Sequence, residues 1–394
     1  MSYPEIVLKK GRDQPLHRRH PWVFSGAIQQ ISGQPVDGDR VIVTDHLRKP
    51  LGWGHYHDGS IQVKLIAFGT EPPSEAPFEE ALQSAWALRQ RLGFGPGTST
   101  TGFRLVHGEG DHLPGLIIDI YEDTAVFQAH TIGMYRERDL LVDLLNRLDG
   151  LSLARVYDKS RSTLPKEFAA TIREGYLSGE AAGTRFLEND IPFLAQWEGG
   201  QKTGFFLDQR ENRQLLRRYS RGQHILNTFS YSGGFSIYGL LGGAESVTSV
   251  DVSAKALALL EENLAIAQAP ADRHTSETAD VLNYLRDHEA SWDIVILDPP
   301  AFAKSMNKRH QAVQGYKRLN ALGMQRVKPG GLLFTFSCSQ VVDQQLFRDT
   351  ITAAALDAGR EAKVLHSLSQ GPDHPVNLVL PETSYLKGLV VEIR

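Results

Sequence analysis

One cysteine, Cys338, stands among 394 residues. That excludes an internal disulfide framework and any zinc site built from clustered cysteines, and no metal is expected. Long apolar segments are missing too. The longest stretch without Lys, Arg, Asp or Glu, Gly222 to Ala244, carries Gln223, Asn227, Thr228, Ser230, Ser232, Ser236 and several glycines. These do not suit lipid, so no membrane partner is expected. The opening MSYPEIVLKKGRDQ has no apolar run and reads without a secretory signal, which makes the cytoplasm the expected compartment. A dominant charge sign is absent as well: 42 basic against 46 acidic residues leave a net −4, unlike a polycation. A nucleic acid responds to local patches rather than to that sum. Solenoid repeats and low-complexity tracts are also lacking. What remains is ordinary globular material, 41% hydrophobic and 22% charged, at a length that predicts two to three domains.

Composition divides the chain. Residues 1–70 read as short strands, among them 41–44 and 61–68, between Gly, Pro and Asp clusters, as in a small β-barrel. This part holds nine basic and six acidic residues. Five of the basic ones (Lys9, Lys10, Arg12, Arg18, Arg19) fall within eleven positions. The Pro- and Ser-rich 69–77 reads as a linker. A helix over 78–93, strands at GLIIDIY and TAVFQAH, a helix over 135–148, a strand near 153–157 and β material around 173–194 make an α+β unit. From about 195 onward strands and helices alternate, as in a parallel sheet covered on both faces. The expected domains are 1–72, 73–194 and 195–394.

The third segment carries chemistry. In ILNTFSYSGGFS an apolar strand ends in a small-residue loop, Ser230 to Gly234, that opens into a helix. Glycine there admits close approach to the backbone, and the helix N-terminus offers free N–H donors. Asp251 ends the next strand, 18 residues after Gly233, where an acid grips a ribose hydroxyl pair. The loop lacks the full dinucleotide glycine pattern, which favours a nucleoside ligand without pyrophosphate; a plain tight turn is the competing reading. DIVILDPPAF puts Asp298-Pro299-Pro300 at a strand exit, where ligands of open α/β sheets bind. The prolines aim the Asp298 carboxylate rigidly, although a bare helix-blocking turn has the same appearance. The next seventeen residues hold Lys304, Lys308, Arg309, Lys317 and Arg318 and no acid, suiting a phosphate-rich substrate or simply a solvated face. Cys338 ends another strand in FTFSCSQ, placed as a nucleophile, whereas most free cysteines are small buried hydrophobes. Phe205 and Phe206 in KTGFFLDQRENR either stack on a base or pack in the core.

With these motifs together, the chain resembles the bacterial 23S rRNA (cytosine-C5)-methyltransferase family with an N-terminal PUA domain. The likeness spans nearly the full length, through KGRDQPLHRRHPWVFSGAI (10–28), GDHLPGLIIDIY (110–121), QKTGFFLDQRENR (201–213), NTFSYSGGFS (227–236), LDPPAF (297–302), FSCSQ (336–340) and DHPV…YLKG (373–388). It implies a multidomain fold: a PUA-like RNA-binding β-barrel, a central α+β domain, and a Rossmann-like class I methyltransferase domain whose sheet closes with an antiparallel hairpin. It implies S-adenosyl-L-methionine as cofactor, lined by Asn227, Phe229, Ser230, Tyr231, Gly233, Gly234, Asp251, Asp280 and Asp298. Asp208, Gln209 and Arg210 then cover the methionine end. The partner expected is 23S ribosomal RNA, met by Lys9, Lys10, Arg12, Arg18, Arg19, Lys304, Lys308 and Arg309, with the oligomeric state left open, a homodimer included.

The chemistry expected is methylation of cytosine C5, with Cys338 and Asp298 catalytic. C5 is a poor nucleophile until a thiolate adds at C6, and Cys338 is the sole candidate thiolate. Many related cytosine-C5 enzymes have a second cysteine after D-P-P, where this chain has Ala301, so the base for the elimination step is unassigned. Methylation of an exocyclic nitrogen, which needs no cysteine, and a catalytically idle RNA-binding protein are the other readings.

Overall fold

A computed structural model describes residues 3–181, 183–198, 200, 202–303 and 305–394. The chain resolves into two compact units. The first comprises 1–191, 195–207 and 372–383, and the second 192–194, 208–371 and 384–394.

The first unit opens with a six-stranded sheet. Its order in space is Trp22–Phe24, Ile61–Phe68, Pro50–Tyr56, Arg40–Thr44, Glu5–Leu8 and Ile28–Ser32. The two edge strands are consecutive in sequence, joined only by Ser25–Ala27. So short a link spans at most about 14 Å, so the sheet must curl until its edges meet. Inside sit Ile6, Leu8, Val23, Val41, Val43, Val63 and Leu65, alternate residues of strands with one wet face, and Leu16 from the short helix Gln14–His17, all buried. This is the barrel expected from the sequence.

A five-stranded sheet follows in the order Gly175–Ser178, Arg155–Asp158, Thr124–Ala129, Leu116–Tyr121 and Gly102–His107. The helix Ala76–Arg91 buries Phe78, Leu82, Ala85 and Trp86 at helical spacing. Two features depart from the sequence reading. The strand Gly102–His107 was not anticipated. The helix over 135–148 is two pieces, Ile132–Arg136 and Arg138–Leu145. They break at Glu137, whose carboxylate accepts from the Arg40 guanidinium at 2.6 and 2.7 Å and meets the buried His55 ring at 3.1 Å.

Behind this sheet lies a buried charge network. Arg89, fully buried, donates to both Asp111 oxygens at 2.5 and 2.7 Å and to the Asp373 carbonyl at 2.7 Å. Asp373 in turn accepts from the Arg104 amide at 3.0 Å. Arg104 also forks onto Asp119 at 2.7 and 2.9 Å and donates to His107 Nδ1 at 3.3 Å.

The second unit holds the alternating elements. Its seven-stranded sheet runs His274–Thr278, Ser246–Asp251, His224–Thr228, Trp292–Leu297, Val327–Ser337, Lys387–Ile393 and Ala362–Ser369. The first five pair in parallel, and the last two form the antiparallel closure. Strands buried on both faces need near-continuous apolar runs, and DIVIL and LLFTF supply them. Helices Arg210–Tyr219, Gly234–Leu241, Ala254–Ile266, Val281–Asp287, Arg309–Gln325 and Gln344–Ala358 alternate with these strands, as expected from about residue 195 onward. Among the described residues no helix is long and apolar enough to cross a membrane.

The charge network makes the first unit acid-sensitive. Burial, then the Arg104 charge, pushes His107 down to about 2 from 6.5. A depressed histidine binds protons only in the unfolded chain between those values, so its stabilisation is complete above pH 6.5 and erodes as pH falls below it. Between pH 7 and 5 this loss amounts to about 2 kcal/mol. Urea denaturation of wild type at both pH values should show that drop, and His107→Asn should show a smaller one; equal drops would remove His107 as the cause.

Candidate active site

The parallel register fixes where the strands end. Thr228 is level with Val250 on one side and Leu297 on the other, and Leu297 is level with Thr335. The next residues out of the sheet are therefore Phe229, Asp251 and Asp298, with Cys338 just past Ser337, along one edge of strands spaced about 4.8 Å apart.

Above the first of these strands the loop reverses sharply. Phe229 (φ 54°), Tyr231 (φ 44°) and Gly233 (φ 82°) all take left-handed backbone. Only glycine does so freely, so the two aromatic residues are held there by their surroundings. The Ser230 amide donates to the Val250 carbonyl at 3.2 Å, and the Tyr231 amide to Asp251 Oδ2 at 3.0 Å. Gly233 is the N-cap of helix Gly234–Leu241, and a Cβ on it would lie 2.4 Å from Leu260 Cγ. Beneath the loop, Asn227 Nδ2 donates to Ser236 Oγ at 2.8 Å, which meets Ser249 Oγ at 2.7 Å. Asn227 is thus a buried support for the loop.

Asp251 is a hub. Its second oxygen accepts from the Ser253 amide at 2.9 Å, and its carbonyl accepts from the Ala279 amide at 3.0 Å. The latter bond draws Asp280 to the same sheet edge. Asp280 is exposed and caps helix Val281–Asp287 through Asn283 N at 3.0 Å. A carboxylate has about four acceptor positions, so Asp251 and Asp280 each keep lone pairs for a ligand.

The segment before helix Arg210–Tyr219 reaches the same edge. Asp208, Gln209 and Arg210 are all buried. Gln209 Nε2 donates to Asp298 Oδ2 at 3.0 Å, and its Oε1 accepts from Asn212 Nδ2 at 2.6 Å. That relay orients the Asp298 carboxylate from one side. Asp208 accepts from the Tyr385 hydroxyl at 2.6 Å. Gln370 Oε1 accepts from the amides of Tyr385 and Leu386 at 3.1 and 3.2 Å. Sequence reading missed Asn212, Gln370 and Tyr385. YLKG is part of the resemblance but gives Tyr385 no role, and Gln370 has no local signal. Phe205 packs edge-on to Phe186 at 5.1 Å in the first unit, which is the core alternative.

Cys338 is partly buried. Its neighbour Ser339 donates to the Ala303 carbonyl at 2.7 Å, linking the two strand exits that carry Cys338 and Asp298. The fully buried Tyr316 packs tilted against Phe302, ring centroids 4.5 Å apart. Burial pushes its hydroxyl up to about 12, so it stays protonated.

The basic residues divide. Lys9, Lys10, Arg12, Arg18 and Arg19 are exposed on the barrel of the first unit. Lys9 Nζ donates to the Gly26 carbonyl at 2.9 Å, and the Arg19 guanidinium lies over Phe68 at 5.2 Å. Lys308 and Arg309 begin helix Arg309–Gln325, with Arg309 paired to Asp343 at 3.1 Å. Lys304 lies outside the described residues.

Comparison with known proteins places this geometry. A model of the S-adenosylmethionine-dependent methyltransferases matches residues 104–389, and a model of the PUA-like domain matches 6–68. Ribosomal RNA large subunit methyltransferase I of Aeromonas salmonicida is 39% identical over 99% of both chains. Its counterpart in Shewanella amazonensis is 40% identical over 98% of this chain and 99% of that one. A solved structure described as a SAM-dependent methyltransferase from Streptococcus mutans shares the fold, with TM-score 0.83 at 23% identity over 98% of this chain and 99% of that one. Its sheet edge, its glycine-turned loop and these matches have one reading: the chain belongs to the S-adenosylmethionine-dependent methyltransferases and carries a PUA-like domain.

Proposed function

We propose that this protein methylates C5 of a cytosine in 23S ribosomal RNA, through a covalent bond between Cys338 and C6. The observation that carries the reading is the pairing of strand exits. A carboxylate held by Gln209 and the chain's single thiol leave neighbouring strands linked by the Ser339–Ala303 hydrogen bond. The relatives, large-subunit ribosomal RNA methyltransferases by name, support the substrate class. We take residues 1–72 as the RNA-docking domain, 73–194 as the central domain and 195–394 as the catalytic domain, working in the cytoplasm.

The residues around the loop fit the cofactor. Ser230 Oγ is buried and has no hydrogen-bond partner among the described residues, and Gly233 lets the backbone close on a ligand at a helix N-terminus. Asp251 takes the ribose hydroxyls, Asp280 the base, and Asp208, Gln209 and Arg210 the methionine end; Asn227, Phe229, Tyr231 and Gly234 shape the cradle. When bound, S-adenosylmethionine supplies the methyl group.

The steps at the base are carried by two side chains. The Cys338 thiolate adds to C6, forming the S–C6 bond, and the ring electrons move to make C5 nucleophilic. Asp298 holds the N3/N4 edge, selecting cytosine and stabilising the charge that develops. After C5 takes the methyl group it loses its proton to a base other than residue 301, where Ala301 has no acceptor, and the C5–H electron pair restores the C5–C6 double bond. The S–C6 bond then breaks and the thiolate returns. A paired base cannot reach such a crevice, so the target is unpaired or flipped out.

Ribosomal RNA carrying 5-fluorocytosine tests this reading. Fluorine at C5 cannot leave as a proton, so wild type should accumulate a protein–RNA adduct resistant to denaturation. Cys338→Ala should give no adduct and lose nearly all turnover. Substantial methylation by that variant would sink the covalent mechanism and favour a nitrogen-methylating enzyme. RNA docking has its own test. Replacing Arg18 and Arg19 by Ala should lower the salt dependence of RNA binding by about 0.7 in log–log slope per lost phosphate contact. S-adenosylmethionine affinity should stay the same, and an unchanged slope would make the arginines solvated surface.

A further inference from the structure

We infer that Lys387 is a positioning residue for Cys338: it ties down the strand-exit loop that carries the thiol and sets a positive charge beside it. The inference rests on the reading of Cys338 as nucleophile.

Lys387 opens the strand Lys387–Ile393, which lies between two others in the sheet. Its backbone is level with Ser337, the residue before Cys338, and on the other side with Ser369. The side chain turns toward the Cys338 exit and is buried, 7% exposed. Its ammonium donates to the Ser339 carbonyl at 2.6 Å and the Val342 carbonyl at 2.7 Å. Two points of the turn just after Cys338 are thus fixed by one cation. The Val342 amide closes the same turn on Ser339 at 3.2 Å.

A buried ammonium is costly, and carbonyls alone do not neutralise it. Hydrogen bonding to two carbonyls would need no charge. Burial pulls Lys387 down to about 8, while Cys338 and Asp343 act to raise it. Such interactions are mutual: a thiolate that favours the ammonium is favoured by it equally. Other charges around the thiol work against ionisation. Asp343 is exposed and shared with Arg309, and Asp298 lies at the neighbouring strand exit. The adjacent Tyr316 stays neutral. Among these, Lys387 is the buried cation.

The chain's single thiol makes the test direct, because iodoacetamide then reads Cys338 alone. The rate of alkylation of the full-length protein is followed against pH in wild type, Lys387→Met and Lys387→Gln. Glutamine keeps a donor for the carbonyls but carries no charge. The wild-type midpoint should lie below that of free cysteine, about 8.5. Both variants should raise it by about one unit and slow alkylation at pH 7 by about tenfold, since the thiolate fraction falls in proportion. Calorimetric affinity for S-adenosylmethionine should stay within about twofold of wild type, and kcat should fall while KM for RNA holds. A wild-type midpoint at or above that of free cysteine overturns the inference even if both variants fail to fold. So does a Lys387→Gln midpoint equal to wild type, which would leave Lys387 as a loop brace only. Failure of the nucleophile reading is separate: Cys338→Ala would methylate RNA, whatever the alkylation profiles show.

Discussion

Parallel pairing in register is the constraint from which the active site follows. Because Thr228, Val250, Leu297 and Thr335 sit at one level of the ladder, the residues that leave each strand emerge along a single edge. No side chain has to reach far to join the others. A slip in pairing would displace one exit relative to the next and turn each side chain of the slipped strand to the opposite face. The buried runs of Ile, Val, Leu and Phe that hold the register therefore place Asp251, Asp298 and Cys338 as effectively as any direct contact between them.

Upon that frame a small set of polar contacts refines direction. Asp251 binds the loop before it and the turn after it, so three connections move as one body. Asp298 is oriented through Gln209 and Asn212, a relay of two amides whose donors and acceptors leave little freedom of rotation. Amides suit this work because they pass a direction along without adding charge beside a carboxylate. The same economy appears under the loop, where Asn227, Ser236 and Ser249 form a buried neutral chain.

Much of this was legible in the sequence, and unevenly so. The alternation of strands and helices in the second unit follows from apolar runs such as DIVIL and LLFTF and from capping residues such as Ser253 and Asp343. The break at Glu137 was not legible, since an amphipathic pattern runs through it; Arg40 and His55, some eighty to one hundred residues earlier, impose it. Gly102–His107 is not legible because a half-buried charge, Arg104, interrupts the apolar run and finds its partner only in the folded chain. Ser230, Asp251, Asp298 and Cys338 could be marked from motif position alone. Gln370, Tyr385 and Lys387 could not, because their partners lie on distant segments and no spacing rule connects them.

The Arg89 network has a consequence for how the molecule is made. Arg89 meets Asp111 almost at once during synthesis, but the Asp373 carbonyl lies 284 residues farther on. At elongation rates of about 5–20 residues per second, that delay is on the order of 15–60 s. Residues 372–383 belong to the first unit, while the chain on both sides of them belongs to the second. The first unit is therefore incomplete until residues 372–383 are made and the second until 384–394 are, and no single cut in the backbone releases either one intact. Until Asp373 is made, Arg89 has Asp111 and the Ala85 and Arg104 carbonyls but lacks its remaining acceptor, and residues 372–394 supply segments of both units.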